Sequence, residues 1–76
     1  MRIVKEYTDK PFKTTIFSWN GKYMIKIEHG PLEQTFKVSE MDVVEAELDA
    51  MLNSSFYEKA KIRFDDMGAT LREMIS

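Results

Sequence analysis

The dipeptide Asn20-Gly21 joins two segments that are rich in β-branched and aromatic residues, 12–19 and 22–29. Asn-Gly favours a two-residue type I′ turn, whose twist matches that of paired antiparallel strands. Such a turn makes Trp19 and Lys22 cross-strand neighbours, and this pair sets the register of every pair further along the hairpin. The sequence therefore predicts a β-hairpin of known register, and the register decides which side chains share a face.

The predicted register separates an aliphatic inner face from a mixed outer face. Ile16 and Ile25 are neighbours on the inner face. On the outer face, Phe17 is opposite Met24 and is surrounded by lysines. With Lys37 from the next strand, the candidate binding residues of this outer face are Lys13, Phe17, Trp19, Lys22, Met24, Lys26 and Lys37.

Aromatic and cationic side chains that alternate on one surface fit two kinds of partner. Bases of a single-stranded nucleic acid stack on aromatic rings while lysines neutralise phosphates. Tryptophan, phenylalanine and methionine are also enriched at the centres of protein interfaces. The outer face is therefore a candidate subunit or protein interface and, as the second interpretation, a nucleic-acid platform. Cover by another part of the chain is the third interpretation, and an ordinary solvent-exposed face without a partner is the fourth.

Two further strands are predicted beside the hairpin. The first is residues 2–7, where the alternation leaves open whether Ile3 or Val4 faces the core. Gly30-Pro31 indicates another two-residue connection, after which residues 32–38 alternate as a fourth strand. This connection keeps four apolar residues on the inner face: Tyr23, Ile25, Phe36 and Val38.

After the fourth strand the hydrophobic period changes from two to 3.6. Ser39 is predicted to cap a first helix, with an apolar stripe of Met41, Val44, Leu48, Met51 and Leu52. Ser55 and Glu58 predict the start of a second helix over residues 56–75, in which Gly68 is a candidate break. A heptad-like seam on this helix is the predicted oligomer interface: Ala60, Phe64, Met67, Leu71 and Met74. Core packing is expected for Met41, Met51, Met67 and Met74.

The size of the chain points to self-association. A domain of 76 residues buries only about 60% of the surface of its unfolded chain, so its stability is marginal. Cysteine is absent, which excludes disulfides and thiolate metal sites, and His29 is the one histidine. We therefore expect a single domain over residues 1–76 that forms a homodimer and holds neither cofactor nor metal.

Charge and motifs narrow the classes of function. Residues 1–38 carry seven Lys or Arg against four Asp or Glu, whereas residues 39–76 carry four against nine. The net charge of −2 makes a nucleic acid the less favoured partner. No nucleophile elbow, phosphate loop or metal motif is present, so we expect no catalytic residue and no enzyme activity. No apolar run approaches the ~20 residues of a membrane span, and residues 1–6 are interrupted by charge, so we expect a soluble, cytoplasmic protein.

Two short motifs carry a resemblance to a known family. Ser18-Trp19-Asn20-Gly21 lies at a hairpin, and Phe36-Lys37-Val38-Ser39-Glu40 leads from a strand into a helix. This layout, over residues 12–52, resembles the PC4-type single-stranded-DNA-binding domains; it is similar as well to small bacterial proteins of uncharacterised families. The PC4 resemblance implies a dimer built from a curved sheet and a helix. It also implies that nucleic acid would be bound through Trp19, Lys22 and Lys26.

The sequence as a whole predicts an α+β fold. Four antiparallel strands form a meander, and one or two C-terminal helices pack on the inner face of the sheet. The predicted function is a small, non-enzymatic interaction module that self-associates. Single-stranded nucleic-acid binding through the outer face is the alternative.

Overall fold

Four antiparallel strands and a long C-terminal helix make up the chain, and the structure, a computed structural model, describes all 76 residues. The strands are β1 (Arg2–Tyr7), β2 (Lys13–Trp19), β3 (Lys22–His29) and β4 (Leu32–Ser39). They form one sheet in the order β1-β2-β3-β4. A 3₁₀ turn (Glu45–Glu47), a short helix α1 (Leu48–Met51) and a long helix α2 (Ser54–Ile75) follow. The predicted α+β meander is confirmed.

Two tight turns fix the register of the central strands. Asn20 has a φ of 54° and Gly21 a φ of 76°, as a type I′ turn requires. Gly30 has a φ of 58° and is followed by Pro31, a combination typical of a type II′ turn. Both predicted registers are confirmed: Phe17 pairs with Met24, and the β3–β4 pairs continue the same rows.

A β-bulge in the first strand decides which of its side chains face the core. The register with β2 shifts between Ile3 and Lys5, so one extra residue lies in β1. Val4 packs against the core, whereas Ile3 lies opposite Phe17 on the outer face. The choice between Ile3 and Val4, which the alternation left open, is therefore made by this bulge.

The core lies between the inner face of the sheet and the helices. The sheet contributes buried apolar residues from three strands, and α1, α2 and Leu52 between them contribute the other side. The buried members are Tyr7, Ile16, Tyr23, Ile25, Ile27, Leu48, Leu52, Tyr57, Ala60 and Phe64. His29 lies at the edge of this face, with its ring 5.2 Å from that of Phe12.

The predicted first helix is wrong over its first part. Ser39 caps no helix; its hydroxyl accepts a hydrogen bond from the backbone N–H of Met41 at 3.2 Å, within a turn. Met41 is 94% exposed and Val44 is also exposed, so neither joins the core. The reason is distance, because the chain must pass from β4 to the β1 side of the sheet, about 14 Å at ~4.8 Å per strand. Residues 40–42 form a turn in which the Asp42 N–H donates to the Ser39 carbonyl at 3.0 Å, and Val44 is extended. The chain therefore crosses the sheet before any helix begins.

The long helix starts earlier than predicted and is not broken. Its N-cap is Asn53, whose side-chain oxygen accepts from the backbone N–H of Phe56 at 3.0 Å; Ser55 is not the cap. The helix continues through Gly68 over 22 residues, about 33 Å at 1.5 Å per residue. It is longer than the strands beneath it, so its last turn projects beyond them. Met74 is accordingly exposed, and its predicted place in the core is wrong.

A candidate interaction surface on the outer sheet face

The register places all seven predicted binding residues on the outer face. Each lies in one of four cross-strand rows, and the helices pack on the opposite face. From one end of the hairpin to the other, the β2–β3 pairs on this face are Trp19 with Lys22, Phe17 with Met24, Thr15 with Lys26, and Lys13 with Glu28. Lys37 of β4 continues the second row beside Met24. The sequence thus predicted this part of the surface residue by residue.

An apolar cluster lies at the Trp19 end of the outer face. We define it as Ile3, Phe17, Trp19 and Met24. Ile3 of β1 is opposite Phe17 of β2, and Phe17 is opposite Met24 of β3. Trp19 follows two residues after Phe17 on the same face. Ile3 and Trp19 are each 53% exposed, and the other two are half-buried. Four contiguous apolar side chains therefore face solvent with no element of the chain over them.

Sequence reasoning missed the contribution of Ile3 to this cluster. The connection between β1 and β2 covers residues 8–12, and a turn of that length does not determine the register. The bulge then reverses the simple alternation of β1. Glu6 is brought to the outer face in the same way, opposite Thr15. No local signal in residues 2–7 distinguishes these placements.

Charges are divided unevenly over the outer face. At the far turn Glu28 lies directly opposite Glu33, an arrangement in which like charges repel. Lys26 offsets this repulsion, with its ammonium 3.6 Å from Glu28 and 3.3 Å from Glu33. The hydrogen bond from Lys26 to Glu33, with the charges of both carboxylates, raises the pKa of this lysine.

The other lysines of the outer face carry no such partner. Lys13, Lys22 and Lys37 form no ion pair within the chain, although Lys13 lies opposite Glu28 in the register. Two of these free ammonium groups, those of Lys22 and Lys37, lie beside the apolar cluster. The surface therefore has an apolar end with two free cations beside it and, at the far turn, a mixed group whose charges are partly neutralised.

The predicted oligomer seam on α2 divides between core and surface. Ala60 and Phe64 are buried against the sheet of their own chain. Met67 and Leu71 are half-buried and Met74 is exposed. Only the last three therefore present surface to a second copy, because the first half of the seam is used to cover the inner face.

A polar cluster joins β1 to α1 and was not predicted. The Tyr7 hydroxyl donates a short hydrogen bond to Asp49, and the Lys5 ammonium lies 3.4 Å from the same carboxylate. Burial, with the neighbouring Asp49 carboxylate, raises the pKa of Tyr7 well above its usual range. The hydrogen bond from Tyr7, with the charge of Lys5, lowers the pKa of Asp49. These residues are far apart in sequence, so no motif connects them, and their role is to hold α1 on the sheet.

Neither a metal-ion cluster nor a membrane-crossing helix is found in the structure. No three His, Cys, Asp or Glu side chains come together in a group suited to a metal ion. None of the helices combines the length and apolar character that a membrane crossing requires.

The fold and this surface define a class of small α+β domain: a four-stranded antiparallel sheet with helices on one face and an uncovered, partly apolar face on the other. Comparison with protein-family models, with curated proteins and with solved structures finds no match for this chain. Inference about function therefore starts from the outer face itself.

Proposed function

We propose that this chain is a small, non-enzymatic interaction module that self-associates through its outer face. The observation that carries the proposal is the uncovered apolar cluster of Ile3, Phe17, Trp19 and Met24. Exposed apolar residues are normal when scattered, whereas a contiguous patch rimmed by polar residues is typical of an interaction site. The lysines beside the cluster supply such a rim.

The composition of the cluster supports a protein contact. Aromatic residues and methionine are enriched at interface centres, and tryptophan is among the residues whose truncation costs most binding energy. Trp19 is the largest side chain in the cluster and has half of its surface free. Lysine side chains at a rim can keep their charged ends in water while their alkyl stems cover apolar surface.

The size of the chain supports a second copy as the partner. The core rests on ten buried apolar residues, a small number for a domain without disulfides or metal. Burial of the outer face against an identical face would add apolar burial on a side of the sheet that contributes little to the core. A two-fold contact of this kind is the commonest form of protein assembly.

The test is the oligomeric state of a matched pair of variants. Sedimentation velocity across micromolar concentrations should show a monomer–dimer equilibrium for the unaltered chain. Trp19→Ser should shift it to monomer. Ile62→Ser is the control, because Ile62 is also exposed but lies on α2 away from the outer face, and it should leave the equilibrium unchanged. A chain that is monomeric at every concentration would overturn the proposal.

Single-stranded nucleic acid is the second candidate for the same face. The observation in its favour is that Lys22 and Lys37 are free of ion pairs beside the cluster that contains the half-exposed indole. Lys13, at the far end of the same face, is also free. Against it, Lys26 is held between two glutamates. Titration of Trp19 fluorescence with a short single-stranded oligonucleotide at low and moderate salt distinguishes the two, since phosphate contacts produce a steep salt dependence. Salt-sensitive quenching would favour this candidate, and a flat titration would count against it.

A further inference from the structure

The arrangement of two copies can be inferred from the register, on the basis of the self-association proposed above. Two identical sheets that meet face to face are related by a two-fold axis lying between them. The axis runs either along the strands or across them. Aligned sheets keep their strands within about 30° of each other, so in both cases the cross-strand rows decide which side chains meet.

An axis along the strands, between β2 and β3, has a simple consequence. Each β2 residue of one copy faces, in the second copy, the β3 residue that is already its register partner within one chain. The four resulting contacts, each made twice, are Trp19 over Lys22, Phe17 over Met24, Thr15 over Lys26, and Lys13 over Glu28. For this axis, the register within one chain therefore also determines which side chains of two copies face each other.

These contacts are chemically complementary. An ammonium group over an indole face is a favourable cation–π pair, and a methionine sulfur packs well against a phenyl ring. Lys13 gains a carboxylate partner that it lacks within its own chain, because it forms no ion pair there. The same axis brings β1 over β4, so that Ile3 lies over the alkyl stem of Lys37 of the second copy. The ammonium of that lysine lies one row from the carboxylate of Glu6.

An axis across the strands is a poor match. With the two sheets fully overlapped, it places Phe17 over Thr15 and Met24 over Lys26. Ile3 then lies over Glu6. Trp19 over Lys13 and Lys22 over Glu28 are favourable in this arrangement. Each apolar side chain of the second row, however, is buried against a polar or charged one, which costs desolvation.

Moving this axis onto the second row places Ile3, Phe17 and Met24 over the same residues of the second copy. It also places Lys37 over Lys37 and Lys22 over Lys26, where like charges repel. Only the axis along the strands brings the apolar row together without facing like charges.

We propose that two copies pack outer face against outer face about a two-fold axis parallel to β2 and β3, with Lys13 of each copy facing Glu28 of the other. Four short strands offer an interface at the small end of the range for specific complexes, so the dissociation constant is expected in the micromolar range, about 1–100 µM.

A charge-reversal pair tests this arrangement. Lys13→Glu places glutamates opposite each other across the interface, and Glu28→Lys places lysines there. Each variant alone should dimerise at least about tenfold more weakly than the unaltered chain, since like charges are brought together. In an equimolar mixture, the carboxylate introduced by Lys13→Glu faces the ammonium introduced by Glu28→Lys, and the unaltered Lys13 and Glu28 face each other at the second contact. The mixture should therefore recover a heterodimer to within about threefold of the original affinity.

The mixture separates contacts between chains from contacts within one chain. Repulsion between residues 13 and 28 of the same chain is not relieved by mixing, so recovery reports only the contact between copies. Sedimentation velocity and circular dichroism of each variant provide the readouts. If a reversed variant is unfolded, Lys13→Gln replaces Lys13→Glu and Glu28→Gln replaces Glu28→Lys. Each should still weaken the dimer, and mixing should restore one of the two Lys13–Glu28 contacts, so the heterodimer should be tighter than either homodimer.

The failure of this arrangement differs from the failure of self-association. Suppose that Trp19→Ser loses the dimer, but that neither charge reversal weakens it or that mixing gives no recovery. The outer face would then remain the interface, and the proposed arrangement of the two copies would be wrong. A monomeric unaltered chain would overturn both.

Discussion

The inner and outer faces of the sheet are built from the same strands, yet they do different things. On the inner face Ile16, Ile25 and Ile27 are fully buried beneath α1 and α2. On the outer face Ile3 and Trp19, in the same sheet, remain half exposed. Strand propensity and alternation are similar on both sides. Burial beneath the helices, and not residue type, therefore decides whether an apolar strand residue stabilises the chain or remains available to a partner.

Polar groups show the same contrast between the faces. On the inner face Thr14 lies 2.5 Å from the hydroxyl of Tyr57, and Gln34 donates to the carbonyl of Ala60 at 3.0 Å. No buried side-chain nitrogen or oxygen is left without a partner. On the outer face the polar contacts are exposed ion pairs such as Lys26 with Glu33. Buried hydrogen bonds orient α2, whereas exposed pairs are worth little.

The largest expected difference in stability between the two faces can be measured with isoleucine, which occurs on both. Ile27 is 0% exposed and Ile3 is 53% exposed. Ile27→Ala should lower the free energy of unfolding by about 2–5 kcal/mol because it leaves a cavity. Ile3→Ala should lower it by less than about 1 kcal/mol. Urea unfolding followed by circular dichroism, at concentrations that keep the chain monomeric, measures both.

A domain this small has little stability to lose, so Ile27→Ala can leave the chain unfolded. Ile27→Val is the milder variant and should cost about 0.5–1.5 kcal/mol. Equal effects of substitution at Ile27 and Ile3 would contradict the assignment of the two faces.

The adjacent threonines Thr14 and Thr15 allow a comparison of smaller stability effects on the two faces. Thr14→Val removes the partner of the buried Tyr57 hydroxyl and should cost about 1–3 kcal/mol. Thr15 is also buried, at 4% exposed, but its hydroxyl forms no hydrogen bond in the chain. Thr15→Val replaces this hydroxyl by a methyl group of similar shape and should change stability by no more than about 0.5 kcal/mol. Thermal unfolding of the two variants checks the difference, and a larger loss from Thr15→Val would contradict it.

The smallest expected effect concerns the cluster that holds α1 on the inner face. The pKa of Asp49 is lowered in the folded chain, so the carboxylate contributes stability that is present above its unfolded pKa of about 4 and lost as pH falls below it. The pKa of Tyr7 is raised, so its contribution is present below the unfolded pKa of about 10 and is lost as pH rises through the folded value.

Asp49→Asn should accordingly be less stable than the unaltered chain at neutral pH and should approach it in acid. The measurement is urea unfolding at pH 7 and at pH 3. Tyr7→Phe is the control, because without the phenol hydroxyl the effect of Asp49→Asn should become smaller. An equal loss from Asp49→Asn at both pH values would show that the carboxylate charge is not the cause.

The sequence alone was enough to predict the four strands, the register of the last three and most of the outer face. Asn20-Gly21 and Gly30-Pro31 are two-residue turns, and a turn of that length allows one register. The two turns therefore predict every cross-strand pair of the three later strands, from Trp19 to the rows that contain Lys13 and Lys37. The long helix was also predicted, because its hydrophobic period continues over many turns, although its N-cap and the exposure of Met74 were not.

Only the tertiary structure decided the placement of β1, the path of residues 40–44 and the Tyr7–Asp49 contact. The bulge that turns Ile3 outward depends on pairing with β2, across a connection too long to set a register. The exposure of Met41 follows from the distance that the chain must cover to reach the β1 side of the sheet. Such features depend on contacts between residues distant in sequence, and local periodicity and turn chemistry contain no information about those distances.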